Sequence, residues 1–283
     1  MKTLQKTLLI LSLLAVVPIS LMAQSSKVIK EKRNLSGFSA ISIGGGWEAV
    51  LTQGDSFLVT IEASEESIEN LRIEVRNETL HVYNDDRKFR FSDIFRLRRN
   101  AIRKVHITLP ELQRITASGG SDIFPQTPFS TENMKITLSG GSDLKNFSLD
   151  CQSLDCKMSG GSDASVHLVN GEDVKITASG GSDVSMSGLS AALLNIKASG
   201  GSDMNLEGAA TNLQVSASGG SDLSAFKLRV ENCTATLSGG SDADLYVTDT
   251  LNASISGSGD IRCKGNPPNV EKRISRGSSL RMM

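Results

Sequence analysis

Apolar and polar residues alternate along short runs that recur through the chain. Met134, Ile136 and Leu138 are separated by Lys135 and Thr137; Val174, Ile176 and Ala178 by Lys175 and Thr177; Leu194, Ile196 and Ala198 by Asn195 and Lys197. A period of two predicts half-buried strands, whereas a helix would need apolar residues at i, i+3 and i+4. Each run ends in Ser-Gly-Gly-Ser-Asp, which starts at Ser118, Ser139, Ser159, Ser179, Ser199, Ser218 and Ser238, and in a scrambled form, Ser-Gly-Ser-Gly-Asp, at Ser256. The steps between successive Asp residues are 21, 20, 20, 20, 19, 20 and 18. A second alternation follows the corner, as in Ala164, Val166 and Leu168, and a polar turn such as Asn170-Gly171-Glu172-Asp173 closes the unit. Twenty residues are too few for a βαβ unit of about 30 residues. They suffice for one coil of a parallel β-helix, an all-β solenoid in which every strand pairs with its counterpart one coil on. At about 4.8 Å per strand, eight corners span roughly 35 Å.

Corner chemistry follows from the backbone. Paired glycines admit positive φ, and Ser and Asp side chains bond nearby amides. Stacking like on like places the aspartates in a file about one strand spacing apart, where ionised carboxylates raise one another's pKa. The file must splay into water, take donors from Ser and amide groups, or be bridged by cations. Turn chemistry is the preferred reading. The spacing departs from the nonapeptide pattern of calcium-binding β-rolls, so a Ca²⁺ ladder stands as the alternative and no metal or cofactor is assigned.

Residues 1–23 read as a secretory signal: Lys2 and Lys6, an apolar run over 8–17, and Ala23 before the cleavage point. The apolar run is too short for an ordinary membrane span, no later segment would cross a bilayer as a helix, and the mature chain is read as exported, to the periplasm, outer-membrane surface or exterior. Residues 24–34 read as a linker. Runs at 38–43, 48–53, 57–62 and 71–83 are β-rich. Between them, residues 64–70 carry a helical turn with Ser64 as cap and Glu65 and Glu66 in the first turn. Trp47, the single tryptophan, reads as a core or capping residue.

The run 38–43, then Val50-Leu51-Thr52-Gln53-Gly54, the run 71–83, Ile107-Thr108-Leu109-Pro110-Glu111-Leu112 and the Ser-Gly repeats resemble the head GIN domain of autotransporter adhesins, the DUF2807 family frequent in Bacteroidetes. The resemblance covers residues 35–265, with repeat coils over 112–265. It implies a right-handed β-helix on an exported bacterial protein with an adhesin role, and no catalytic residues. One departure is Gly44-Gly45-Gly46-Trp47, which stands where Gly-Ile-Asn is expected.

Charge changes this picture at one place. Residues 86–104 hold eight cations against Asp86 and Asp93, with Phe89, Phe91 and Phe95 interleaved. A solvated cap is the bland reading. The sharper one is an anion site using Arg96, Arg98 and Arg99, whose guanidinium forks suit the phosphate of lipopolysaccharide or an acidic glycan. Nucleic acid is not expected for an exported chain. Residues 118–261 carry 7 basic and 17 acidic side chains, net −10, which implies that the repeats repel an acidic partner, while the tail 266–283 is basic and either covers the open end of the stack or is disordered. Cys151, Cys156, Cys233 and Cys263 form no metal-ligand pattern; a Cys151–Cys156 bridge at a turn competes with buried free thiols. His81, His106 and His167 share no spacing. The function these features point to is a non-enzymatic, adhesin-like surface or periplasmic module. A β-helical polysaccharide-acting enzyme and a cation-binding structural rod are the alternatives, and the sequence leaves the oligomeric state open.

Overall fold

The computed structural model describes residues 27–85 and 101–283. The signal 1–23 and most of the 86–104 insert, including Arg96, Arg98 and Arg99, lie outside the described residues. The chain forms stacked β coils about 20 residues apart, as the period requires. Two files of strands run the length of the stack, one before each corner and one after it.

In the pre-corner file the register is one-to-one. Ile115, Ile136, Cys156, Ile176, Ile196, Val215, Ala235 and Ala253 occupy successive places in one inward column. All eight are buried. The neighbouring column compensates their volumes. It has Ala178, Ala198 and Ala217 beside Ile176, Ile196 and Val215, but Leu237 and Ile255 beside Ala235 and Ala253. A larger residue stands beside a smaller one at every level except Ile136 with Leu138, a compensation of volume that favours close packing while the sequence drifts.

The corner is held from inside. The second Ser of each corner (Ser121, Ser142, Ser162, Ser182, Ser202, Ser221 and Ser241) is almost wholly buried. In all of these but Ser142, whose hydroxyl accepts from Ser121 N–H (3.2 Å), the hydroxyl donates to the carbonyl of the first Ser, as Ser182 Oγ does to Ser179 O (2.8 Å) and Ser202 Oγ to Ser199 O (2.8 Å). A buried hydroxyl without such a partner would destabilise the coil, so this residue is part of the fold. The first Gly is equally constrained. Gly200 has φ +80°, and a Cβ there would lie 2.8 Å from Gly180 O of the preceding coil. The second Gly is freer from the third corner on: Gly161 has an ordinary φ and a Cβ there would meet open space, whereas Gly120 and Gly141 have φ of +72° and +75°.

The N-terminal end departs from the single in-order parallel stack that the period suggests. Its elements are β1 (Val28–Arg33), β2 (Ala40–Gly44), β3 (Glu48–Gln53), β4 (Leu58–Ser64), α1 (Glu65–Asn70), β5 (Leu71–Arg76), β6 (Thr79–Asn84), β7 (Arg103–Leu109), β8 (Arg114–Ser118) and β9 (Asp122–Pro125). β2 lies between β6 and β8, and β3 between β7 and β9, all parallel. The coil made by β6 and β7 therefore precedes the coil made by β2 and β3, although it is written after it. Antiparallel strands finish the end: β5 pairs with β6, β4 with β7 and β1 with β4. Part of the segment read as a linker is thus strand β1. The basic tail is also ordered: Asn269–Ile274 and Ser279–Met282 add a further parallel coil on the last repeats.

Gly44-Gly45-Gly46-Trp47-Glu48 proves to be a corner of this same kind. Gly44 pairs with Ser118 and Glu48 with Asp122. Trp47 is fully buried ahead of the serine column, and its Nε1 donates to Asn84 Oδ1 (2.8 Å). The expected core role of Trp47 holds.

Candidate ligand-binding surfaces

Three surfaces carry chemistry. The first is the aspartate file. Glu48 pairs with Asp122, and Asp163, Asp183, Asp203, Asp222 and Asp242 follow one another in register. From Asp143 to Asp222 they line a shallow groove of about 580 Å³ with Ser165, Ser185, Asn205 and Ser224. Partial burial, then the neighbouring carboxylates Asp143 and Asp183, push Asp163 above its ordinary pKa. Asp222 moves the same way through burial and then Asp203 and Asp242. Among the described residues no group of three or more His, Cys, Asp or Glu is placed to hold a metal ion.

The second surface is the outer side of the pre-corner file. Its outward positions bring Arg114, Lys135, Lys157, Lys175 and Lys197 onto five consecutive strands, one cation per coil. Asp155 and Asp173 are the carboxylates of the same stretch, and Asp155 pairs with Lys157 (3.2 Å). The net charge of −10 over residues 118–261 is therefore not spread over both sides. The aspartate file lies after the corners, while these outward positions before them carry one cation per coil, with Asp155 in line between Lys135 and Lys175.

The third surface is the tip. Residues 86–100, outside the described residues, link β6 to β7, where the repeat coils have the Ser-Gly corner. Its roots are fixed. Asn84 Nδ2 and Arg103 Nη1 both donate to Gly45 O (2.8 and 3.4 Å), and Arg72 pairs with Asp85 (2.6 Å). Lys104 beyond it pairs with Glu48 (3.1 Å) at the head of the carboxylate file.

The remaining candidates resolve simply. All four cysteines are buried free thiols, so Cys151 and Cys156 are not bridged, and burial pushes both thiols up to about 12. His106 Nε2 contacts Glu62 (3.2 Å) and His167 Nδ1 contacts Ser187 (3.1 Å), far apart in the stack. The carboxylates form a file, not a facing pair. No helix among the described residues is long and apolar enough to cross a membrane.

The family model described as "Putative auto-transporter adhesin, head GIN domain" matches residues 37–167 and 164–267. The chain belongs to this family. Among solved structures, a "putative adhesin" from Parabacteroides distasonis is 18% identical with TM-score 0.63, covering 92% of this chain and 98% of its own. A "putative adhesin" from Parabacteroides merdae is 19% identical with TM-score 0.61, covering 92% and 97%. A "Putative lipid binding protein" from Parabacteroides distasonis is 18% identical with TM-score 0.56, covering 91% and 95%. These likenesses establish the shared solenoid. Comparison with curated proteins finds no match. An adhesin-like family on a β-solenoid is thus the identity that the sequence resemblance implied.

Proposed function

We propose that the chain is an exported, non-enzymatic, adhesin-like module of the cell envelope, acting in the periplasm, on the outer-membrane surface or outside the cell, and that its tip engages an anionic partner. The observation that carries this reading is the anchoring of the two described residues that flank the 86–100 segment, Asn84 and Arg103, both on Gly45 O, beside a sequence that concentrates Arg96, Arg98 and Arg99 with three phenylalanines. Rigid scaffolds carry their binding groups on such connections. The basic start and apolar run of residues 1–23 support export. A glycoside-cleaving enzyme would need two carboxylates facing each other across the scissile bond, whereas the corner aspartates stand in one file along the same face.

The partner class is an acidic glycan or lipopolysaccharide. Phenylalanines among arginines suit a ligand with both phosphate and acyl groups, and one fold relative is named a lipid-binding protein. Replacing Arg96, Arg98 and Arg99 together with Ala should weaken binding to immobilised lipopolysaccharide about tenfold and flatten its salt dependence, with an unchanged melting temperature. Binding equal to the parent's would remove the tip from the reading.

A further inference from the structure

We infer that the outer side of the pre-corner file is a docking track for a linear acidic glycan lying along the stacking axis. The inference rests on the anionic-partner reading above and moves the main contact from the tip to the rod. Arg114, Lys135, Lys157, Lys175 and Lys197 stand on adjacent strands. At about 4.8 Å per strand they form a cationic row roughly 19 Å long. Of these five, only Lys157 has a carboxylate within ion-pairing distance among the described residues. The other four cations are available to a ligand.

The cations stand in two adjacent outward columns, Arg114, Lys135 and Lys175 in one (with Asp155 in line between Lys135 and Lys175) and Lys157 and Lys197 in the other, and one cation per coil matches a polymer with one acid group per repeat, not a compact ligand. The neighbouring outward positions, Thr137, Thr177, Asn195 and Gln214, are short or medium polar side chains that exchange hydrogen bonds with sugar hydroxyls. No aromatic side chain interrupts this described stretch, which argues against a lipid that must insert acyl chains. On the far side of the corners the aspartate file repels the same polymer, so the rod offers it one face only.

The test uses polygalacturonate, its oligomers of graded length, neutral dextran, and vesicles of phosphatidylglycerol or phosphatidylcholine. Binding to the mature chain is measured across ionic strengths. Three variants are compared: Lys135→Ala/Lys175→Ala/Lys197→Ala, Arg96→Ala/Arg98→Ala/Arg99→Ala, and Thr234→Ala/Thr236→Ala as a control beyond the row. Affinity for the oligomers should rise with length and level off once the row is spanned. The lysine variant should bind polygalacturonate about tenfold more weakly and with a shallower salt dependence, while dextran stays unbound and the control matches the parent. Loss confined to the arginine variant would sink the track and leave the tip reading standing. Loss confined to the lysine variant would support the track and discard the tip. No polygalacturonate binding by the parent would sink both, and binding to anionic vesicles alone would overturn the glycan in favour of a lipid surface.

Discussion

Residues 133–255 and residues 28–109 both contribute apolar side chains to one buried core, but they do so under opposite constraints. Within the repeats each coil has a near-identical neighbour on either side, so one pattern solves the packing at every level. At the N-terminal end there is no further coil to cover the first one. The chain covers it by reversing direction: β5, β4 and β1 run antiparallel to their neighbours, and α1 bridges β4 and β5. The described residues of the C-terminal coil show no such reversal. They keep parallel pairing, with Val270 and Ile274 exposed in inward columns and Lys272 standing in line with Ala253. A repeat can propagate itself, but only an irregular sequence can end it.

The largest expected effect separates the two sides of one repeat strand. Ile176→Asp buries a charge without a partner in the middle of the inward column and should cost more than about 4 kcal/mol, enough to unfold the coil. Lys175→Asp points outward and should change stability by less than about 0.5 kcal/mol. Thermal unfolding of the two variants decides the matter, and equal losses would mean that the faces are wrongly assigned.

Next in size is the glycine contrast within a corner. Gly200→Ala forces a Cβ into the left-handed region and against Gly180 O, and should cost about 2–4 kcal/mol. Gly161→Ala meets neither obstacle and should be neutral or slightly stabilising, because it removes unfolded-state freedom. Denaturant midpoints for the pair would expose the error if both glycines proved equally intolerant.

Most of the repeat region was legible in the sequence because each inward column is written at fixed spacing beside Lys175, Thr177 and their equivalents. The N-terminal end was less so, for identifiable reasons. Gly44-Gly45-Gly46-Trp47-Glu48 has the phase of a corner, with Ile41 and Ile43 leading into it, but Trp replaces the buried Ser and Glu the Asp. The β5–β6 hairpin turns at Asn77 and Glu78, with φ of 48° and 56°, and lacks the Asn-Gly pair that announces a two-residue turn. The order of the coils is not local information at all: nothing in β6 states that it will lie ahead of β2. The cationic row could have been read, since Lys135, Lys157, Lys175 and Lys197 all fall at outward positions. Summing charge over the whole repeat region concealed it.

A smaller effect tests the C-terminal end. Lys272 occupies an inward column on the last described coil, between the exposed Val270 and Ile274. A charge there makes addition of a second copy costly, since it would be desolvated by the incoming strand. Lys272→Val should leave the melting temperature within about 2–4 °C of the parent and produce concentration-dependent association in sedimentation. A monomeric variant would show that the edge is guarded by something other than this lysine.

The smallest effect concerns the aspartate file, where the sign is more informative than the size. Asp163 and Asp222 have pKa values raised by partial burial and then by neighbouring carboxylates. Their charged forms therefore oppose folding at neutral pH, and this opposition disappears as pH falls through the raised values. Glu62, held low chiefly by its hydrogen bond to Lys30, behaves oppositely: its stabilising contribution is present above the ordinary carboxylate pKa and is lost as pH falls through the depressed one. Comparing the parent with Asp163→Asn/Asp183→Asn/Asp203→Asn/Asp222→Asn cancels the glutamate and isolates the file. The variant should melt about 1–3 °C higher at pH 7, and the difference should shrink to nothing as the pH approaches about 4. Millimolar Ca²⁺ should leave both curves in place if the file is turn chemistry. A rise seen only in the parent would instead mean that cations bridge the aspartates, because preferential binding to the folded chain must raise its melting temperature.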